Sequence, residues 1–169
     1  LGLPVPVGVL FVTMLGFYIL GMCLKINPWV AMVGGLAFGF ASFNILYLGA
    51  GHITKVNAVA FMAPTLGGLL LATRGKWLWG SVVFAFFLAL NISSNHFQIT
   101  YYLLIMLSIV AAAEGIRLLI EKKFIELGKI VGALLLATGI AILPSASNLM
   151  TTYEYAKYST RGDSDISVA

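Results

Sequence analysis

The feature that most constrains this chain is a succession of apolar runs, each close to 20 residues, separated by short charged or polar breaks. A helix needs about 20 mainly apolar residues to cross a bilayer, and helices and closed barrels are the structures that satisfy their own backbone in lipid. Six runs qualify: residues 5–24, 28–48, 56–73, 77–92, 97–120 and 129–148. Charged residues make up 9% of the chain and hydrophobic ones 60%. Soluble domains carry roughly 25% charge, so this chain lacks the polar groups to cover a water-facing surface. The expected fold class is all-α integral membrane, with about six transmembrane helices over residues 1–149 and a polar tail over 150–169.

The breaks have recognisable chemistry. Lys25 ends the first run, and Ile26-Asn27-Pro28 makes a tight turn with proline at the first helical position, where its missing N–H costs nothing. Gly49 to Lys55 is a polar, glycine-bearing break. The third run is short and contains Pro64, so a kink or a non-spanning first turn is expected there. Arg74-Gly75-Lys76 closes it. Ser93-Ser94-Asn95-His96 breaks the fourth run and offers capping side chains to the fifth. Glu121-Lys122-Lys123 opens a short amphipathic joint reaching Gly128, and Pro144 lies near the end of the sixth run. Gly35-x-x-x-Gly39 fits close helix packing within one chain. The abrupt ends at Leu1 and Ala169 are expected for an internal piece of a longer protein, whose C-terminal part the tail would lead into.

A net charge of +4 does not imply nucleic acid here, because the positives are sparse and sit between apolar runs. They set orientation instead. Alternate connections carry Lys25, Arg74, Lys76, Arg117, Lys122, Lys123 and Lys129, whereas the opposite ones carry Lys55, Lys157 and Arg161. Seven against three puts the first set in the cytoplasm. The N-terminus, the loops holding His52 and His96, and the tail then share the outer side. One cysteine, Cys23, excludes a disulfide framework within the chain.

The unusual polar residues gather on that outer side: His52 and Lys55 at one helix start, Asn91, Asn95, His96 and Gln98 around another, and Tyr153, Glu154, Lys157 and Arg161 after the sixth run. A lysine, an arginine, two imidazoles and amide donors beside helix N-termini make an anion site. At that depth the natural anion is a lipid phosphate or pyrophosphate. Simpler readings compete. Tyr153 and Tyr155 fit an aromatic belt, Lys55 fits an interfacial snorkelling residue, and the histidines fit helix caps. Two histidines without ligand spacing do not define a metal site. Glu114, inside an apolar run, has Arg117 three residues on as a structural partner. Asn91-Ile92-Ser93 matches a glycosylation sequon but overlaps a spanning run. No phosphate-binding loop, dinucleotide fingerprint or serine-hydrolase elbow is present.

Three segments carry a family resemblance. Gly51-His52-Ile53-Thr54-Lys55 ahead of an apolar helix with Pro64, then Asn95-His96-Phe97-Gln98-Ile99-Thr100-Tyr101-Tyr102, then Tyr153-Glu154-Tyr155-Ala156-Lys157-Tyr158-Ser159-Thr160-Arg161-Gly162 resemble, in that order, segments of the YfhO-type bacterial membrane proteins, in a Bacteroidetes-like form. The resemblance implies part of a larger GT-C-like helical bundle in the bacterial inner membrane. Its implied activity is transfer of a sugar from a polyprenyl-phosphate donor to a cell-envelope acceptor on the outer face. It implies that His52, Lys55, Asn95, His96 and Gln98 line the donor-phosphate pocket, with Arg161 reaching it from the tail. The acidic residue such enzymes use belongs to an outer loop upstream of Leu1, so Glu154 is only a local stand-in for it. No cofactor is implied for this piece, and a divalent metal would belong to the longer protein. The implied partners are membrane lipids, the lipid-linked donor, and proteins met through the tail. A lipid or anion transporter and a non-catalytic membrane subunit remain the competing functions.

Overall fold

The computed structural model describes residues 4–157 and is all-helical over that range. Helix α1 is Val5–Cys23, α2 Pro28–Gly39, α3 Ser42–Gly49, α4 Ile53–Thr73, α5 Trp77–Ser93, α6 Phe97–Ile120 and α7 Phe124–Ile142. A 3₁₀ turn at Leu143–Ser145 then leads into α8, Ala146–Lys157. Four stretches are long and apolar enough to cross a membrane: α1, α4, α6, and the stretch from Phe124 to Glu154. The α2–α3 pair would be a fifth if it is one span bent by 41°. Helix α5, at 17 residues, is shorter than these, although 17 is about the lower limit for spanning.

The expected runs 5–24, 77–92 and 97–120 correspond to α1, α5 and α6 within a residue. The other three need correction. The run 28–48 is broken at Phe40 and Ala41. Asn44, 1% exposed, donates its amide to the carbonyls of Phe38 (2.7 Å) and Gly39 (3.3 Å), replacing backbone donors that a continuous helix would have supplied. Gly34, Gly35 and Gly39 also weaken α2, since glycine is the poorest helix former after proline. The run placed at 56–73 begins at Ile53, so the polar break is shorter, and it stays one helix through Pro64. The joint assigned to 121–128 is already helical from Phe124, because Lys122 (φ 57°) completes the turn alone. The tail assigned to 150–169 is helical as far as Lys157.

Helix α4 is the hub. Buried residues make up 67% of its most apolar stretch, against 22% in α1 and 17% in α6. Its small residues allow that. Gly67 lies against Leu20 and Cys23 of α1, and a side chain on Gly68 would stand 2.5 Å from the Phe84 amide nitrogen of α5. Pro64 removes the N–H that the Ala60 carbonyl would accept. Gly16 of α1 packs over that carbonyl, where any Cβ would collide with it. Leu69, Phe84, Leu88, Leu103, Leu107, Ala137 and Ala141 form the main apolar cluster between α4, α5, α6 and α7. Away from it, Trp29 (73% exposed) and Leu135 (69%) show the outward apolar surface, which fits a membrane-embedded chain.

These contacts fix helix direction. The α1 contacts with α4 advance together along both chains, so the two are parallel, whereas Gly68 with Phe84 and Gly80 with Ala72 make α4 and α5 antiparallel. Thr100 meets Asn91 at one end of α6, and Arg117 meets Thr73 at the other, so α6 runs with α4. Ser93 meets Ser145, placing the end of α7 beside the end of α5. His52 and His96 therefore share one end of the bundle. Lys25, Arg74, Lys76, Lys122 and Lys123 share the other.

Candidate functional site

At the histidine end, α3 and α4 are joined by a two-turn corner. The His52 N–H bonds the Tyr47 carbonyl at 2.8 Å, and Gly51 takes φ 78°, a conformation glycine adopts without strain. This folds α3 back over the start of α4. Lys55 Nζ then lies 3.8 Å from the centre of the Tyr47 ring and 5.8 Å from that of Phe43. The two rings are tilted against each other by 48° with centroids 4.4 Å apart, and the His52 ring stands 5.8 Å from Tyr47. A cation over a tyrosine face is held by the ring quadrupole, by about 0.5–1 kcal/mol where exposed. No carboxylate pairs with Lys55 among the described residues.

The second half of this end is the α5–α6 corner. Asn95 makes the turn at φ 53° and is exposed. His96 occupies the N-cap position of α6 without making a side-chain cap, and His52 does the same for α4. The competing reading, that the imidazoles cap their helices or bond to neighbouring loops, is therefore not met in its capping half. His96 Nδ1 is buried and has no hydrogen-bond partner among the described residues. Gln98 Nε2 donates to the Tyr102 hydroxyl at 3.2 Å, one turn along. Below this surface lies a polar bridge not foreseen from sequence. Asn91 is fully buried, donates to the Ala58 carbonyl of α4 at 2.8 Å, and accepts from Thr100 of α6 at 2.9 Å. Its amide is thus occupied inside the bundle, which leaves no role for the sequon.

Of the expected site residues, His52 and Lys55 come together on Tyr47, while Asn95, His96 and Gln98 share the neighbouring corner. No hydrogen bond or ring contact joins the two groups among the described residues. Glu154 is exposed on α8 without an ion pair among the described residues. Arg161 lies outside the described residues. No group of three histidine, cysteine, aspartate or glutamate side chains comes close enough to hold a metal among them.

The opposite end carries the ion pairs. Arg117 bonds Glu114 and Glu121, each at 2.8 Å, and donates to the Thr73 carbonyl at 3.0 Å, so it closes the C-terminus of α4 from α6. The expected Glu114–Arg117 pair is present as part of this network. Lys123 bonds Glu121 at 2.8 Å. The ammonium of Lys123, and then Arg117, hold the Glu121 carboxyl below its usual range, and Glu121 raises Lys123 in turn. Lys25, Arg74 and Lys76, by contrast, line a shared pocket and have no acidic partner among the described residues.

Comparison with protein families, with characterised proteins and with solved structures gives no match.

Proposed function

We propose that the chain is the membrane-embedded portion of an outer-face glycosyltransferase, a YfhO-type protein using a polyprenyl-phosphate-linked sugar. The observation that carries the reading is the histidine end itself. Two helix N-termini, of α4 and α6, lie on one end beside Lys55, His52 and His96 without side-chain caps; the Ile53 and Ile99 N–H groups bond the Gly51 and His96 carbonyls, and the other first-turn N–H groups are the ones offered to an anion. Such N–H groups and the helix dipole favour an anion. The buried Nδ1 of His96 adds a donor or acceptor that no other described residue uses. Lys55 would slide from Tyr47 to the phosphate and help stabilise the leaving group as the sugar departs. With the seven-to-three distribution of positives, the histidine end faces outward.

The test is Lys55→Ala and His96→Ala in the intact protein, with transfer measured from a polyprenyl-phosphate sugar. Each should lose tenfold or more in turnover while the helices remain intact by circular dichroism. Undiminished turnover in both variants would remove the assignment.

A second reading, transport of a lipid or anion, is favoured by the broken α2–α3 pair. Half-helix ends inside a membrane are the usual substrate and ion sites of transporters, and the buried Asn44 Oδ1 has no partner there among the described residues. Substrate flux in liposomes that Asn44→Leu abolishes would select this reading, and absence of flux would dismiss it.

A further inference from the structure

We infer a second anion site, at the lysine end, built to hold the phosphodiester headgroup of an anionic phospholipid. It is the pocket of about 260 Å³ lined by Cys23, Leu24, Lys25, Leu71, Arg74 and Lys76. Two separate turns build it. Lys25, at φ 59°, ends α1, while Arg74 and Lys76 flank Gly75, at φ 102°, after α4. The close packing of Gly67 on Leu20 and Cys23 brings these turns together. The three cations therefore converge because α1 and α4 run parallel and end at the same level.

The contrast with neighbouring cations carries the argument. Arg117 and Lys123, at the same end, are neutralised by Glu114 and Glu121. The pockets beside them include acids: Glu114 and Glu126 in one, whose wall Arg74 also joins without pairing to either, and Glu126 in the other. The pocket of Lys25, Arg74 and Lys76 contains no acid, and none of the three is in an ion pair among the described residues. Three unpaired cations repel one another, so an arrangement that gathers them favours an anionic occupant. The C-terminal dipoles of α1 and α4 offset only part of that charge. The walls contributed by Leu24 and Leu71 are apolar, which suits the acyl edge of a lipid. Basic pockets between membrane helices have this ligand chemistry.

The experiment reconstitutes the purified protein in nanodiscs of phosphatidylcholine with a minor share of phosphatidylglycerol, then counts retained phosphatidylglycerol by native mass spectrometry. Each basic residue near such a surface is worth roughly fivefold, so K25Q/R74Q/K76Q should weaken retention about a hundredfold. K122Q/K129Q, which removes two positives at the same end outside the pocket, should change it less than threefold. R74Q alone should weaken it about fivefold, which keeps the test available if the triple variant fails to fold. Retention by R74Q and the triple variant equal to that of the unmodified protein overturns the proposal. So does an equal loss in K122Q/K129Q, which would mean diffuse surface attraction. Displacement of the lipid by millimolar inorganic phosphate would make it a free-phosphate site and overturn the lipid assignment. None of these readouts involves sugar transfer, so the result stands apart from the proposed enzyme activity.

Discussion

Asn91 should be worth about 2 kcal/mol to this fold, and its two hydrogen bonds can be separated from its volume. It is fully buried on α5, gives its amide protons to Ala58 of α4, and accepts from Thr100 of α6. In lipid no water replaces a lost partner, but side-chain hydrogen bonds between membrane helices still average only about 0.6 kcal/mol, because the unfolded chain in the membrane finds partners too. Two bonds then contribute about 1.2 kcal/mol. Asn91→Ala also leaves a void on the order of 30 Å³, the share of one water, costing about 0.7 kcal/mol at roughly 24 cal/mol per Å³. Asn91→Leu fills the space and should cost the hydrogen-bond part alone. The Thr100 hydroxyl is not stranded completely, since it has a weak alternative bond to the His96 carbonyl at 3.4 Å. The assay is reversible unfolding in mixed micelles with rising denaturing detergent, followed by helix content. A cycle with Thr100→Val should return a coupling of about 0.6 kcal/mol. Additivity of Asn91→Ala and Thr100→Val, or an Asn91→Leu protein as stable as the parent, would refute the account of α5 being pinned by this bridge.

Four further outcomes follow from the same geometry. Gly80→Ala places a methyl against the Ala72 backbone of α4, so unfolding in the same assay should show a loss of about 1–3 kcal/mol. Gly132→Ala, which meets nothing within 4 Å, should be neutral or stabilising. Arg117→Met leaves Glu114, whose side chain is 15% exposed, without its cation and strips the cap from Thr73, so a loss of about 1–2 kcal/mol is expected, between the exposed and buried limits for ion pairs. E114Q/R117M should recover part of it. Glu121 has a folded pKa below its unfolded value, so its stabilisation is full above the ordinary carboxylate range and is lost as pH falls through the depressed folded value. The stability gap between the parent and Glu121→Gln should therefore be open at pH 7 and closed in strong acid, and a gap independent of pH would contradict the pairing.

The helices that sequence placed well are those bounded by charge or proline on an otherwise apolar strip. Lys25 and Pro28, Arg74 to Lys76, and Glu121 each stop a run because a charged side chain is costly at bilayer depth. The α2–α3 break was not legible, because its agent is a single buried asparagine turning back on carbonyls five and six residues earlier. Ser42 and Asn44 after three glycines were the available hint. Helix α8 was missed for the opposite reason: it is polar, and hydropathy cannot separate a polar helix from a loop. At the histidine end, the parity of the connections was enough to gather His52 and His96 on one side. The side-chain partners were not accessible that way. Lys55 reaches Tyr47 across a corner whose fold depends on Gly51, and Asn91 needs three helices in register before its partners exist.

Three carbonyls of α4 explain how so apolar a chain holds its central helix in register. Close packing of small residues gives α4 contact area but little preference for one sliding position over another, since neighbouring glycines and alanines offer similar surfaces. Polar contacts supply that preference. The Ala58 carbonyl takes the amide of Asn91, and the Thr73 carbonyl takes Arg117. The Ala60 carbonyl, released by Pro64, receives the close approach of Gly16, a position suited to a weak Cα–H contact. These partners come from α5, α6 and α1 respectively, and they are spaced along α4 from its first third to its last residue. Each is specific to one register, because a shift of one residue would carry the carbonyl out of reach. Lys55 lies one turn before Ala58 on the same helix, so the position of the cation on Tyr47 is inherited from this register. Loosening Asn91 or Gly16 should therefore disturb the histidine end without any change in the residues that form it.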